Sequence, residues 1–135
     1  MVKESNGAHR KAIRLLEENP ALIGIPRLKV LTASPEQVLF YRGKFFCRVD
    51  LVYGMKDGSV IIVEYKANGE KRLIEKGKSQ LEKAVDFYQK IIQVPAQGRL
   101  VTGDSYPILK QIHLDIRNPK YDQKYINNSS IKKKT

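Results

Sequence analysis

The chain has 135 residues, with 25 Lys and Arg against 14 Asp and Glu, a net charge of +11 and a pI near 9.8. At 41% hydrophobic and 29% charged it reads as one folded domain with a real core, which excludes a disordered or fibrous chain. No apolar run approaches the roughly 20 residues of a membrane span, no apolar leader opens the chain, and a single cysteine allows neither an internal disulfide nor a thiolate zinc site. These features predict a protein of the reducing cytoplasm, neither secreted nor bound to a membrane.

Residues 8–18 (AHRKAIRLLEE) predict a helix, capped by Ser5 or Asn6 and stopped at Asn19-Pro20, because the residue before proline is pushed out of the α region. A 100° step puts His9, Ala12, Ile13 and Leu16 on one face. Residues 21–37, broken by Pro26 and Pro35, read as a connection holding a short strand at 28–31. Residues 38–42 read as a strand, Gly43 as a turn, and residues 44–53 as a second strand in strict alternation. One face of that strand would carry Phe45, Cys47, Val49, Leu51 and Tyr53; the other would carry Lys44, Phe46, Arg48, Asp50 and Val52. Residues 54–59 are a turn, and residues 60–66 (VIIVEYK) a third, β-branched strand.

From residue 72 to 93 the period changes to 3.6. Ile74, Gly77, Leu81, Ala84, Val85, Tyr88, Ile91 and Ile92 form an apolar stripe, which predicts a helix of about 20 residues closed by Pro95. Residues 99–102 suit a strand, Gly103-Asp104 a turn, and residues 107–116 either a helix or a strand. From residue 117 the chain is polar, and residues 117–135 hold five of the eleven net charges. They predict a basic, partly disordered tail behind one domain spanning 1–116. The body keeps the other six charges, which points to a polyanionic partner such as nucleic acid. The order α-β-β-β-α-β predicts an α/β (α+β) fold, a mixed sheet flanked by helices.

Two acids interrupt apolar strands. Glu64 and Lys66 share a face with Val60 and Ile62, and Asp50 breaks the stretch formed by Val49, Leu51 and Val52. A hairpin centred on Asp57 sets Asp50 directly across from Glu64, with Cβ atoms about 5 Å apart. Carboxylates so placed repel each other unless a divalent cation lies between them, and hard oxygen ligands suit Mg²⁺ or Mn²⁺. The plainer reading pairs Lys66 with either acid at a strand end. Cys47 reads as a small core residue, and His9 and His113, with no ligand-spaced partner, as structural. Tyr88 reads as core, and Phe46 as covered by a flanking helix.

Arg48-Val49-Asp50-Leu51-Val52 followed by Ile62-Val63-Glu64-Tyr65-Lys66 resembles the PD-(D/E)xK nucleases, which include restriction enzymes, archaeal Holliday-junction resolvases and RecB-like nucleases. Residues 16–23 (LEENPALI) look like the helix end of archaeal NucS-type endonuclease catalytic domains, and the likeness spans residues 8–103. It implies a restriction-endonuclease-like core and a Mg²⁺- or Mn²⁺-dependent endodeoxyribonuclease, a hydrolase acting on DNA, branched or single-stranded DNA included. Asp50 and Glu64 would be metal ligands, the Tyr65 carbonyl a further ligand, and Lys66 the group that positions the nucleophilic water. The N-terminal acid would be Glu17 or Glu18, with Glu17 nearer the core-facing stripe. Gln80 would face the site, although Ala84 stands where RecB-like members often carry Tyr; the superfamily's proline is absent, with Arg48 two residues before Asp50. Arg48, Lys71, Arg72 and Lys76 are the expected nucleic-acid contacts. The chain is small for a stand-alone nuclease that must embrace a duplex, which predicts a homodimer or a partner subunit. The competing readings are a nucleic-acid-binding module that keeps the fold without catalysis, and a basic RNA-binding protein. The latter leaves Asp50 and Glu64 unexplained.

Overall fold

The computed structural model describes residues 2–105 and 108–112. Helix α1 (Val2–Glu18) begins earlier than its sequence suggests, so Ser5 and Asn6 lie inside the helix instead of capping it. It ends where expected: the Asn19 amide still donates to the Leu15 carbonyl at 2.9 Å, and Pro20 opens a 3₁₀ turn (Pro20–Ile23) closed by Gly24 at φ 78°. A second such turn, Arg27–Lys29, leads into the sheet.

Strand β1 (Val30–Tyr41) replaces the expected connection and short strand with one 12-residue element. Pro35 conceals it in the sequence. A proline removes a ladder donor, which a central strand cannot spare, but β1 is the first strand in the order β1-β2-β3-β4-β5 and Pro35 sits on an edge. Arg42 and Gly43, at φ 56° and 77°, make the two-residue hairpin turn into β2 (Lys44–Met55). A turn around Asp57, whose carboxylate accepts from the Ser59 amide at 2.9 Å, leads to β3 (Val60–Lys66). Helix α2 (Lys71–Asp86) continues as wider π-helical turns (Phe87–Ile92). Gln93, in the left-handed region, and Pro95 stop it.

Strand β4 (Ala96–Ser105) runs parallel to β3, and β5 (Ile108–Ile112) antiparallel to β4. The undecided segment 107–116 is thus a strand over its described part; His113 and the tail from 117 lie outside the described residues. The fold is α+β, with the order α-β-β-β-α-β and a mixed sheet.

The two helices cover opposite faces of the sheet. On one side Ala12, Ile13 and Leu16 of α1 pack on Leu51, Tyr53, Val63 and Val101; on the other Leu81, Ala84 and Val85 of α2 pack on Val49, Val52, Ile62 and Leu100. Strand β3 is buried on both faces, which explains its unbroken β-branched run. Tyr53 ties the layers together by donating its hydroxyl to the Leu16 carbonyl. Two expectations fail here. Strand β2 does not alternate throughout: Cys47 and Val49 face α2, whereas Leu51 and Tyr53 face α1, so the strand changes face at Asp50. Ile91 and Ile92 are exposed, because i→i+5 winding carries them off the 3.6-residue stripe.

Candidate active site

The change of face at Asp50 coincides with the end of a ladder. Strands β2 and β3 pair in a register centred on Asp57, and their last paired residues are Leu51 and Val63. Asp50 and Glu64 come next. Here side chains take over from the backbone: the Asp50 amide donates to Glu64 Oε1 at 3.3 Å, and the Tyr65 amide donates to Asp50 Oδ2 at 2.7 Å. Amides buried at a parting of strands need acceptors, and these carboxylates supply them. Asp50 is 7% exposed and Glu64 3%.

Two nitrogen-bearing side chains flank the acids. Lys66 Nζ lies 3.9 Å from Glu64 Oε2, with its side chain mostly buried. From α1, His9 Nε2 lies 3.2 Å from Asp50 Oδ2, and the His9 ring meets the Tyr65 ring edge-on, centroids 5.5 Å apart. His9, read from the sequence as structural, is thus a direct hydrogen-bond partner of Asp50. Its place on the core-facing stripe was the available signal, but nothing in the sequence sets α1 against Asp50. Gly77 brings α2 down on the other wall: a Cβ there would lie 2.6 Å from Leu100 Cδ1, which would have to shift, and 3.4 Å from Lys66 Cε, in contact with the Lys66 stem.

Burial dominates the electrostatics. It pushes the Glu64 carboxyl up to about 8, with the Asp50 charge adding to the rise and Lys66, the Asp50 amide and Arg48 opposing it. Burial likewise raises the Cys47 thiol to about 11, so Cys47 is an inert core residue, as its position in the sequence suggests.

These groups open on a cleft of about 770 Å³. Of the residues singled out in the sequence, it gathers Asp50, Glu64, Tyr65, Lys66, Gln80, Arg48 and Lys76. The Gln80 Oε1 atom is buried with no hydrogen-bond partner among the described residues. Lys83 and Phe45 also line the cleft and were not foreseen. Lys83 shares a helix face with Lys76 and Gln80, a spacing that α2 alone would have revealed. Lys71 and Arg72 lie exposed at the start of α2, outside the lining. Glu17 and Glu18 are not in the lining either. Glu18 is exposed, and Glu17 sits more than two helical turns beyond His9, where its charge adds to burial in holding the Tyr53 phenol above its usual range.

Among the described residues no group of three His, Cys, Asp or Glu side chains is arranged to hold a metal ion. Two carboxylates are nonetheless the usual protein share of a Mg²⁺ site, which keeps several waters, and the orphaned Gln80 oxygen can accept from one of them. The donor set fits a hard divalent cation on those terms. No family model, curated protein or solved structure matches the chain.

Proposed function

We propose that the chain is a Mg²⁺- or Mn²⁺-dependent endonuclease of the PD-(D/E)xK type, hydrolysing phosphodiester bonds in DNA. The observation that carries this reading is the buried Asp50 and Glu64 side by side where β2 and β3 part, the Asp50 amide on Glu64 Oε1, with Lys66 3.9 Å from Glu64 and a basic wall alongside. Carboxylates on a nucleic-acid surface repel phosphate, so two of them under Arg48, Lys76 and Lys83 call for a cation between acid and phosphate.

A divalent ion held by Asp50, Glu64 and the Tyr65 carbonyl would supply positive charge to the scissile phosphate and acidify a bound water. The chain's own groups do the rest. Lys66 places an ammonium beside Glu64, where it can hold the attacking water and offset charge building on the phosphoryl oxygens. Gln80 offers an acceptor to orient that water, and Arg48, Lys76 and Lys83 draw the DNA backbone into the cleft.

The test is cleavage of a panel of duplex, flapped, branched and single-stranded DNA with Mg²⁺, Mn²⁺ or EDTA. Metal-dependent cleavage is expected, falling by roughly a thousandfold in Asp50→Asn, Glu64→Gln and Lys66→Met, since each removes several kcal/mol of transition-state stabilisation. Cleavage that survives in all three variants would refute the assignment. A second reading, a nucleic-acid-binding module without catalysis, draws on the hydrogen bonds each carboxylate already makes to backbone amides, as a purely structural acid would. It predicts salt-sensitive DNA binding, no cleavage with either metal, and a melting temperature that Mn²⁺ leaves unmoved.

A further inference from the structure

We infer that the exposed face of the β1–β2 hairpin, built on Phe40 and Phe45, is a stacking platform for unpaired nucleobases of a strand entering the cleft. The inference rests on the nucleic-acid reading and adds the class of substrate the site accepts.

Register builds the platform. Val38 pairs with Arg48 and Phe40 with Phe45, and directly opposed residues share a face, so these four side chains form one cross-strand patch. A bulge divides the aromatic pair of β2: Leu39 opposes Cys47 and Phe40 opposes Phe45, leaving Phe46 as the extra residue. Phe46 packs inward on Phe87, ring centroids 5.4 Å apart, while Phe45 stays 63% and Phe40 58% exposed. Paired across the two strands on one face with Val38, these two rings form a contiguous apolar patch, the kind of surface that marks a binding site. Phe45 and Arg48 line the same cleft as Asp50, Glu64 and Lys66, so the patch runs directly into the candidate active site.

Charge selects the occupant. Residues 37–48 contain Arg42, Lys44 and Arg48 and no acid, an alternation of rings and cations that matches a strand of phosphates and bases. A second copy of the chain fits poorly, because a two-fold contact would set these cations against themselves. Edge pairing through β1 is also broken at Pro35 and at Glu36, whose φ is 51°. Duplex DNA keeps its base faces stacked inside and offers the rings nothing, so the platform selects single-stranded or locally unpaired nucleic acid.

The test uses the full chain in EDTA, so that no cleavage is needed. The protein contains no tryptophan, and Phe45→Trp therefore introduces a single reporter. Its fluorescence should be quenched by oligothymidylate and not by an abasic oligomer of equal length. In anisotropy titrations Phe40→Ala and Phe45→Ala should each weaken oligothymidylate binding by between roughly fivefold and a hundredfold, with abasic and duplex binding and the salt slope unchanged. Melting temperatures serve as the control for folding. Wild-type affinity for oligothymidylate in the Phe40→Ala/Phe45→Ala double variant would overturn the proposal, as would a wild-type dimer that the double variant dissociates. Base-dependent quenching without metal-dependent cleavage would sink the nuclease and keep the platform; cleavage without quenching would do the reverse.

Discussion

Burying Glu64 beside Asp50 makes this position a source of instability. Its carboxyl is raised from 4.5 to about 8, first by burial and then by the Asp50 charge, so between those values the folded state binds a proton that the unfolded state has released. Stability therefore falls as pH rises through this window and is highest, as far as this group is concerned, below about pH 4.5. Glu64→Gln should raise stability at pH 8 in the absence of metal and flatten its pH dependence. On the nuclease reading, adding Mn²⁺ to the wild type at pH 8 should stabilise it by about 2.7 kcal/mol at a hundredfold excess over Kd, and Glu64→Gln should abolish that gain. Chemical denaturation at pH 5 and pH 8, with and without Mn²⁺, measures both. A wild-type stability independent of pH over this range would mean that Glu64 stays charged without cost.

At the scale of elements, Gly77 makes α2 a wall of the cleft. A glycine inside a helix costs about 1 kcal/mol relative to alanine, so alanine should stabilise α2 in isolation. In the protein its Cβ meets Leu100 Cδ1 and the Lys66 stem. Gly77→Val should therefore destabilise by about 1–3 kcal/mol through overpacking, and on the nuclease reading should also lower cleavage by crowding Lys66. Combining it with Leu100→Val, which removes the colliding methyl, should recover part of the stability, a coupling that thermal melts of the four variants would reveal. Elements were legible where period and pairing are local: α1, α2, both hairpins and the nearness of Asp50 to Glu64, each next after the last β2–β3 pair, follow from spacing within about 20 residues. What was hidden depended on long-range placement. Pro35 reads as a break until β1 is known to be an edge, the face change at Asp50 makes sense only once the Tyr65 amide needs an acceptor, and His9 meets Asp50 through the docking of α1. Conversely, the E-N-P stretch drew attention to Glu17 and Glu18, yet the helix turns His9 toward the acids instead.

Across the whole molecule, five of the eleven net charges lie in residues 117–135 and the rest in the body, where Arg48, Lys76 and Lys83 line the cleft. On the nuclease reading these two populations act differently. Body cations position the backbone at the acids, whereas tail cations add affinity without register. Removing residues 117–135 should weaken DNA binding uniformly across sequences and flatten the plot of log K against log salt by about 0.9 for each phosphate no longer neutralised. Cleavage at saturating DNA should persist. Titrations from 50 to 200 mM salt would check this, and an unchanged slope would leave the tail without a part in binding.

The parallel pairing of β3 with β4 sets a sequence of events in time. Strands β1, β2 and β3 close through turns of a few residues, but β4 can join β3 only after the 29 residues 67–95, α2 among them, have looped back. On this order the meander should bring Asp50 and Glu64 together before α2 arrives to bury them and before Lys66 has its wall. Like-charge repulsion is then felt in the folding transition state, so the refolding arm of the chevron should quicken as pH falls from 8 to 5 or when Mn²⁺ is present, with the unfolding arm less affected. Pulse-labelled hydrogen exchange should find amides of β2 and β3 protected ahead of those of β4, which would make the acid pair part of the folding nucleus as well as of the site.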